Sequence, residues 1–212
     1  MIPGWLQPLA EAAPGAISPS TYRPPAEGGR PSAVLVLFGE GPRGPDVLLI
    51  ERSADLRDHA GQPAFPGGGV DPGDPGPVAA ALREAAEETG LDPGGVEIFA
   101  TMPELYISRS GFVVTPVLAW WREPCEVAPV DPGEIAAVAR VPVDDLTDPA
   151  NRLRVRHPRG FLGPAFRVSN MLVWGFTAGL LDRLLRLGGW ERPWDASRVE
   201  NLPPESYDLA TR

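Results

Sequence analysis

Apolar runs with strand character dominate the middle of the chain. Ser32 opens SAVLVLF and Asp46 opens DVLLIERS, with the Gly/Pro turn GEGPRGP between them, which predicts a hairpin or two neighbouring strands. VEIFATM from Val96, GFVVTPVLAWW from Gly111 and IAAVARVPV from Ile135 read as further strands. The proline in VVTPV predicts a bend or an edge position. Two stretches change period. Val78 to Thr89 has high helix propensity and ends at Gly90, a residue suited to a C-terminal cap, and Asn170 to Leu187 reads as an apolar-rich helix. Residues 1–30 read as a Pro-rich arm with a short helix near Trp5 to Ala12, residues 31–188 as one domain, and residues 189–212 as an irregular, Trp-containing tail. Strands mixed with two substantial helices predict an α/β sandwich.

Within the first helix Val78, Ala81, Leu82 and Ala85 share one side, and Glu84, Glu87 and Glu88 fan out from the other. Three carboxylates within one turn repel, so a cation belongs beside them. Hard divalent ions suit oxygen ligands and bridge carboxylates to substrate phosphates, and Arg83 is placed to fix one glutamate by pairing. The bland reading is a solvated acidic face. FPGGG ahead of the helix argues against it, because such a loop lets backbone approach a ligand closely.

Composition narrows the chemistry. The 212 residues carry a net charge of −9, which gives no basic footprint for a nucleic-acid polymer or an anionic membrane. A small phosphorylated substrate remains compatible once a bound cation and a few arginines reverse the local sign. All 19 basic residues are arginines, which removes P-loop and Schiff-base lysines. Cys125 is the single cysteine, so an internal disulfide and a Cys-rich zinc site are both excluded. The first residues lack a signal-peptide pattern and no run approaches a bilayer span, so a cytoplasmic location is expected.

REAAEETGL, Arg83 to Leu91, matches the core of the Nudix box at every specified position, and the chain resembles the Nudix hydrolase superfamily. Counting from Gly68, the expected upstream Glu is Asp74, and eight residues rather than seven separate it from Arg83. The coenzyme A diphosphatase branch is similar in this longer loop and in the preceding LLIERSADLRDHAGQPAFPGG, Leu48 to Gly68. SGFVVTPV from Ser110, DPGEIAAVARVPV from Asp131 and VWGFTAGLL from Val173 also resemble that branch. The likeness implies a Nudix-type α/β/α sandwich with a mixed β-sheet between helices. It further implies cleavage of the diphosphate of coenzyme A to 3′,5′-ADP and 4′-phosphopantetheine. Mg²⁺ or Mn²⁺ would be held by Glu84, Glu87, Glu88 and the carbonyl of Gly68, with Arg83 in support.

Glu134 is a candidate further metal ligand or general base, with an ordinary turn acid as the alternative. Arg52, Arg57 and Gln62 lie in the branch-like segment and suit phosphate oxygens, or one Arg pairs with a glutamate of the box. Phe65 is a candidate substrate contact; Phe65, Tyr106 and Phe112 otherwise read as core. His59 reads as a hydrogen-bonded structural residue rather than a base, and His157, beside Arg156 and Arg159, as part of a solvated loop, with a substrate contact as the alternative. Other nucleoside diphosphate derivatives (ADP-ribose, NADH, an oxidised nucleotide) and a non-catalytic nucleotide-binding module are the competing functions. The tail is compatible with packing on the domain or on a second copy in a homodimer.

Overall fold

The run beginning at Ala33 becomes the spine of the molecule. In the computed structural model, which describes residues 1–25, 28–54, 56 and 61–206, it follows helix α1 (Gln7–Ala12) and forms β1 (Arg30–Gly41). β1 turns back into β2 (Gly44–Arg52) as an antiparallel hairpin with Phe38 opposite Val47. Then come β3 (Pro63–Ala64), β4 (Gly67–Gly69), helix α2 (Pro77–Thr89), β5 (Val96–Thr101), β6 (Leu105–Ile107), β7 (Phe112–Trp121) and β8 (Ile135–Pro142). After helix α3 (Val143–Thr147) the chain runs through β9 (Arg152–Arg156), β10 (Leu162–Val168), β11 (Met171–Val173), helix α4 (Gly175–Leu187) and β12 (Val199–Asn201).

The first sheet is mixed, because β1 pairs in parallel with β7 while its other pairings are antiparallel. β2 pairs with β1 only from Gly44 to Val47, beyond which β3 takes over on β2, and β4 pairs with Ser32 to Val34 of β1. The Gly-rich segment thus fills a wedge where the two long strands diverge. Strand alternation sorts side chains to two faces. Val36, Phe38, Val47 and Leu49 pack with Leu6 and Leu9 of the N-terminal segment and Leu180, Leu181 and Leu184 of α4. Ala33, Leu35, Leu37 and Leu48 pack with Ala80, Ala81 and Ala85 of α2. Helices therefore cover both faces of a mixed sheet, the α/β architecture expected from the sequence.

Three local expectations are corrected. β7 lies inside the sheet, between β1 and β5, despite Pro116. The Pro116 carbonyl accepts from the Met102 N–H, so its missing N–H faces the gap between β5 and β6, where no ladder bond is lost. The helix expected from Asn170 begins at Gly175 instead. Ser169 and Asn170 take φ of 49° and 62° and form the two-residue turn that joins β10 to β11. The region read as a loop before it holds a second sheet, in the order β11-β10-β9-β12, whose short Arg-interrupted strands gave no clear alternation.

Both terminal segments pack into the structure. Trp5 sits against Phe38, Trp120 and Trp190, β12 lies parallel on β9, and Leu202 is buried beside Val155. Among the described residues no helix is long and apolar enough to cross a membrane.

Candidate active site

α2 is shaped by its ends and by its small residues. Pro77 occupies the first turn, where its missing N–H is harmless, and Gly90 ends the helix at φ 71° with its N–H on the Ala86 carbonyl. Ala80, Ala81 and Ala85 bring the helix axis close to the sheet. The glutamates consequently do not point away from the protein as a set. Side-chain exposure is 8% for Glu88, 21% for Glu84 and 61% for Glu87. Only Glu87 projects outward, and the other two face β4.

Two glycines of β4 lie at this approach, Gly67 against backbone and Gly68 against the Glu84 side chain. A Cβ on Gly67 would fall 2.3 Å from the Ala33 carbonyl oxygen, and one on Gly68 would fall 2.4 Å from the Glu84 carboxyl carbon. The Gly67 N–H donates to Glu88 Oε2 at 3.0 Å. Backbone and two carboxylates are thereby brought into contact.

Arg83 organises the acids around it. Its Nε and Nη2 donate to the two oxygens of Asp74 at 3.1 and 2.9 Å, Nη1 donates to Glu84 at 3.0 Å and to Glu87 at 3.2 Å, and Nη2 also reaches the Gly69 carbonyl at 3.0 Å. The expectation of one glutamate partner was too small: Arg83 holds two glutamates and Asp74, the residue in the departing box position. Its hydrogen bonds hold the Asp74 carboxyl below the usual carboxylate range and raise its own pKa.

Glu88 has a different environment. Burial pushes its carboxyl up to about 7, against the Gly67 N–H and Arg52, which favour the charged form, and with Glu84 and Glu134 adding like-charge repulsion. Arg52 Nη1 lies 3.8 Å from Glu88 Oε1, and among the described residues its buried Nε has no hydrogen-bond partner. The Ser53 N–H donates to the Glu134 carbonyl and so ties the exposed Glu134 turn to the end of β2. Burial is likewise the main cause of a raised pKa at Glu84, opposed by Arg83.

This donor set fits a hard divalent cation. Every group is an oxygen, Glu88 is a buried carboxylate with two other acids near enough to act on its charge, and the guanidinium facing Glu88 stands 3.8 Å off while that of Arg83 bonds Glu84 and Glu87. Among the described residues no three acidic, His or Cys side chains already converge as a metal-holding group. Glu84, Glu88 and the Gly67–Gly68 backbone form the nearest set, whereas Glu87 projects outward, and Arg83 bonds both Glu84 and Glu87.

Other expected residues fall elsewhere. Arg57 and His59 lie outside the described residues. Gln62 donates to the Ser206 carbonyl at 3.3 Å, linking the branch-like segment to the tail. Phe65 is corrected from a substrate contact to a core residue: it is 3% exposed in the cluster under α4, leaving no ring face for a ligand. Phe112 carries the Arg30 guanidinium 4.2 Å from its ring centre, and Tyr106 pairs with Val113 at the sheet edge. Cys125 is half-buried, its sulfur accepting from the Asp92 N–H. His157 is buried against Trp174, with Nδ1 accepting from the Arg159 N–H at 3.1 Å, so the solvated reading is corrected as well. The role of Asp74 as the main partner of Arg83 was missed. The nine-residue spacing between them was the available signal.

Comparison with known proteins agrees with this geometry. Residues 29–161 match the NUDIX domain. The chain is 40% identical over 173 residues to the uncharacterized Nudix hydrolase NudL of Citrobacter koseri, covering 75% of this chain and 83% of that protein. It is 38% identical over 173 residues to NudL of Escherichia coli K12, with 75% and 83% covered. Among solved structures, the Nudix hydrolase RenU of M. smegmatis aligns with TM-score 0.55 and 24% identity, covering 80% of this chain and 91% of that one, which is a likeness of fold. The protein belongs to the Nudix hydrolase family, enzymes that act on phosphorus-containing acid anhydrides and generally use divalent metals.

Proposed function

We propose that the protein hydrolyses the diphosphate linkage of coenzyme A, in free, acylated or oxidised form. Water adds to one phosphorus, the bridging P–O bond breaks, and free coenzyme A yields 3′,5′-ADP and 4′-phosphopantetheine. The observation that carries this reading is the position of Arg52. The segment resembling the coenzyme A branch ends its strand with this guanidinium 3.8 Å from the most buried glutamate of α2, so substrate-like and metal-like features adjoin.

The diphosphate resists attack because its own negative charge repels a nucleophile. Mg²⁺ or Mn²⁺ held by Glu84, Glu88 and the Gly68 carbonyl, with Glu87 recruited, would neutralise that charge and acidify water. Arg52 contributes a planar fork for a diphosphate oxygen, and the fork is oriented by its place at the end of β2. Arg83 keeps Glu84 and Glu87 at fixed positions and is a positioning residue. Glu134, exposed and near enough for its charge to act on Glu88, would serve as a further metal ligand or take the proton of the attacking water.

Incubation with Mg²⁺ or Mn²⁺ and a panel of coenzyme A, acyl-coenzyme A, ADP-ribose, NADH and 8-oxo-dGTP, with products weighed by mass spectrometry, tests the reading. Release of 3′,5′-ADP from coenzyme A, lost in Glu88→Gln, supports it. Turnover of another member of the panel alone overturns the substrate assignment.

A further inference from the structure

The last carbonyls of a helix have no partner within it, and two of those in α2 are taken up by a strap of chain running from Ala128 to Glu134. The Ala128 N–H donates to the Thr89 carbonyl at 3.0 Å, and the Val130 N–H donates to the carbonyl of Glu88 itself at 3.2 Å. The turn from Asp131 to Glu134 follows and delivers the chain to β8. There the Glu134 carbonyl accepts from the Ser53 N–H at 2.8 Å, and Ile135, 1% exposed, pairs with Arg52 across the sheet. One short strap thus spans the gap between the helical turn that carries Glu88 and the strand end that carries Arg52.

Asp131 is the hub of that strap. Its Oδ1 accepts from the Gly133 N–H at 2.8 Å, and its carbonyl accepts from the N–H groups of Glu134 at 3.0 Å and Ile135 at 2.9 Å. Pro132 fixes one φ between them, and Asp followed by Pro is the pairing that favours such a turn. The direction in which Glu134 leaves the backbone is therefore set by bonds that converge on one residue. The Asp131 carboxylate is exposed and bonded back onto its own loop, so it serves the turn. An ordinary entry turn for β8 would need only its own backbone bonds. This one is tied on one side to the carbonyl of Glu88 and on the other to the residue after Arg52.

We infer that Asp131 is a positioning residue for hydrolysis: through the turn it organises, it fixes Glu134 relative to Glu88 and Arg52. The inference rests on Glu134 acting at the diphosphate as proposed above. Asp131 acts only through Glu134.

Steady-state kinetics at saturating Mg²⁺, on whichever member of the substrate panel is turned over, test it in a cycle of Asp131→Ala, Glu134→Gln and the double variant. Asp131→Ala is expected to lower kcat by about tenfold and to leave KM within about twofold, because a displaced reacting group slows chemistry more than binding. Asp131→Asn, whose amide oxygen accepts the same Gly133 N–H, is expected to recover most of kcat. In the Glu134→Gln background, adding Asp131→Ala is expected to change kcat by less than about twofold, whereas a merely structural turn would give the full loss again. Unchanged kcat in Asp131→Ala, a change in KM alone, an Asn variant as slow as the Ala variant, or additive losses in the cycle overturn the inference. Glu134→Gln at full rate overturns it too. Should Asp131→Ala fail to fold, Gly133→Ala takes its place in the cycle, since a Cβ there would lie 3.1 Å from Asp131 Oδ1 and crowd the same bond. Turnover of a panel member other than coenzyme A rejects the substrate assignment alone, and the cycle run on that substrate then decides the inference; turnover of none overturns both.

Discussion

Glu84 and Glu88 differ by one helical turn and by the company they keep. Glu84 is bonded to Arg83, whereas Glu88 is buried and relies on one backbone N–H and a guanidinium 3.8 Å away. Glu84→Gln is therefore expected to weaken divalent-metal affinity measured by calorimetry while the thermal midpoint of the metal-free protein changes little. A large loss of metal-free stability would contradict that. Arg83→Ala removes the partner of Asp74, whose side chain is 9% exposed. It should lower the denaturant midpoint as well as activity, since a carboxylate loses its charged partner. At this scale REAAEETGL identified the residues, and the three glutamates looked equivalent. Their inequality arises from the depth at which β4 meets α2, which no spacing within the helix encodes.

The element that fixes the site is β4, three glycines in the wedge between β1 and β2. Gly67→Ala would drive a methyl group into the backbone of Ala33 and Val34. Gly68→Ala meets the movable end of Glu84 instead. The first is expected to lower the melting temperature by several degrees, on the order of 2 kcal/mol of lost stability. The second should keep the fold and reduce kcat. Melting curves and steady-state rates on the two variants separate these outcomes. Among elements, the long apolar strands and both major helices were legible because burial on two faces gives sustained apolar runs. β9 to β11 were not, since RLRVR and LGPAFRV interleave arginine with apolar residues and a hairpin turn was hidden in Ser169 and Asn170.

For the whole molecule, the two faces of the first sheet divide the labour. α2 and the acids occupy one face, and α4 with the N-terminal segment forms the larger core on the other. Leu9 is fully buried in that core, so Leu9→Ala is expected to cost about 2–5 kcal/mol in denaturant unfolding although it lies in the arm-like first residues. The sequence set the arm apart because prolines surround it, and the contact with α4 is long-range. Global stability also carries the pKa of Glu88. A carboxyl raised to about 7 stabilises the metal-free fold below the pKa of the unfolded chain, and that contribution fades as pH climbs through about 7. Metal-free protein should thus lose on the order of 2 kcal/mol between pH 4.5 and 8 from this group, and saturating Mg²⁺ should flatten the trend. A pH series of denaturant midpoints with and without Mg²⁺ measures both.

Arg83 gives the acidic cluster a resident counterion, anchored to Asp74, Glu84, Glu87 and the Gly69 carbonyl at once. Small metal-dependent domains that lack such a device unfold when stripped of their ion. Here loss of the divalent ion leaves the glutamate turn still tethered, so inactivation should be a reversible change of ligation and not of fold. Protein treated with a chelator is expected to keep its far-ultraviolet spectrum and to regain full activity within the mixing time when Mg²⁺ returns. Recovery on the slower timescale of refolding would show that the guanidinium does not hold the site in place.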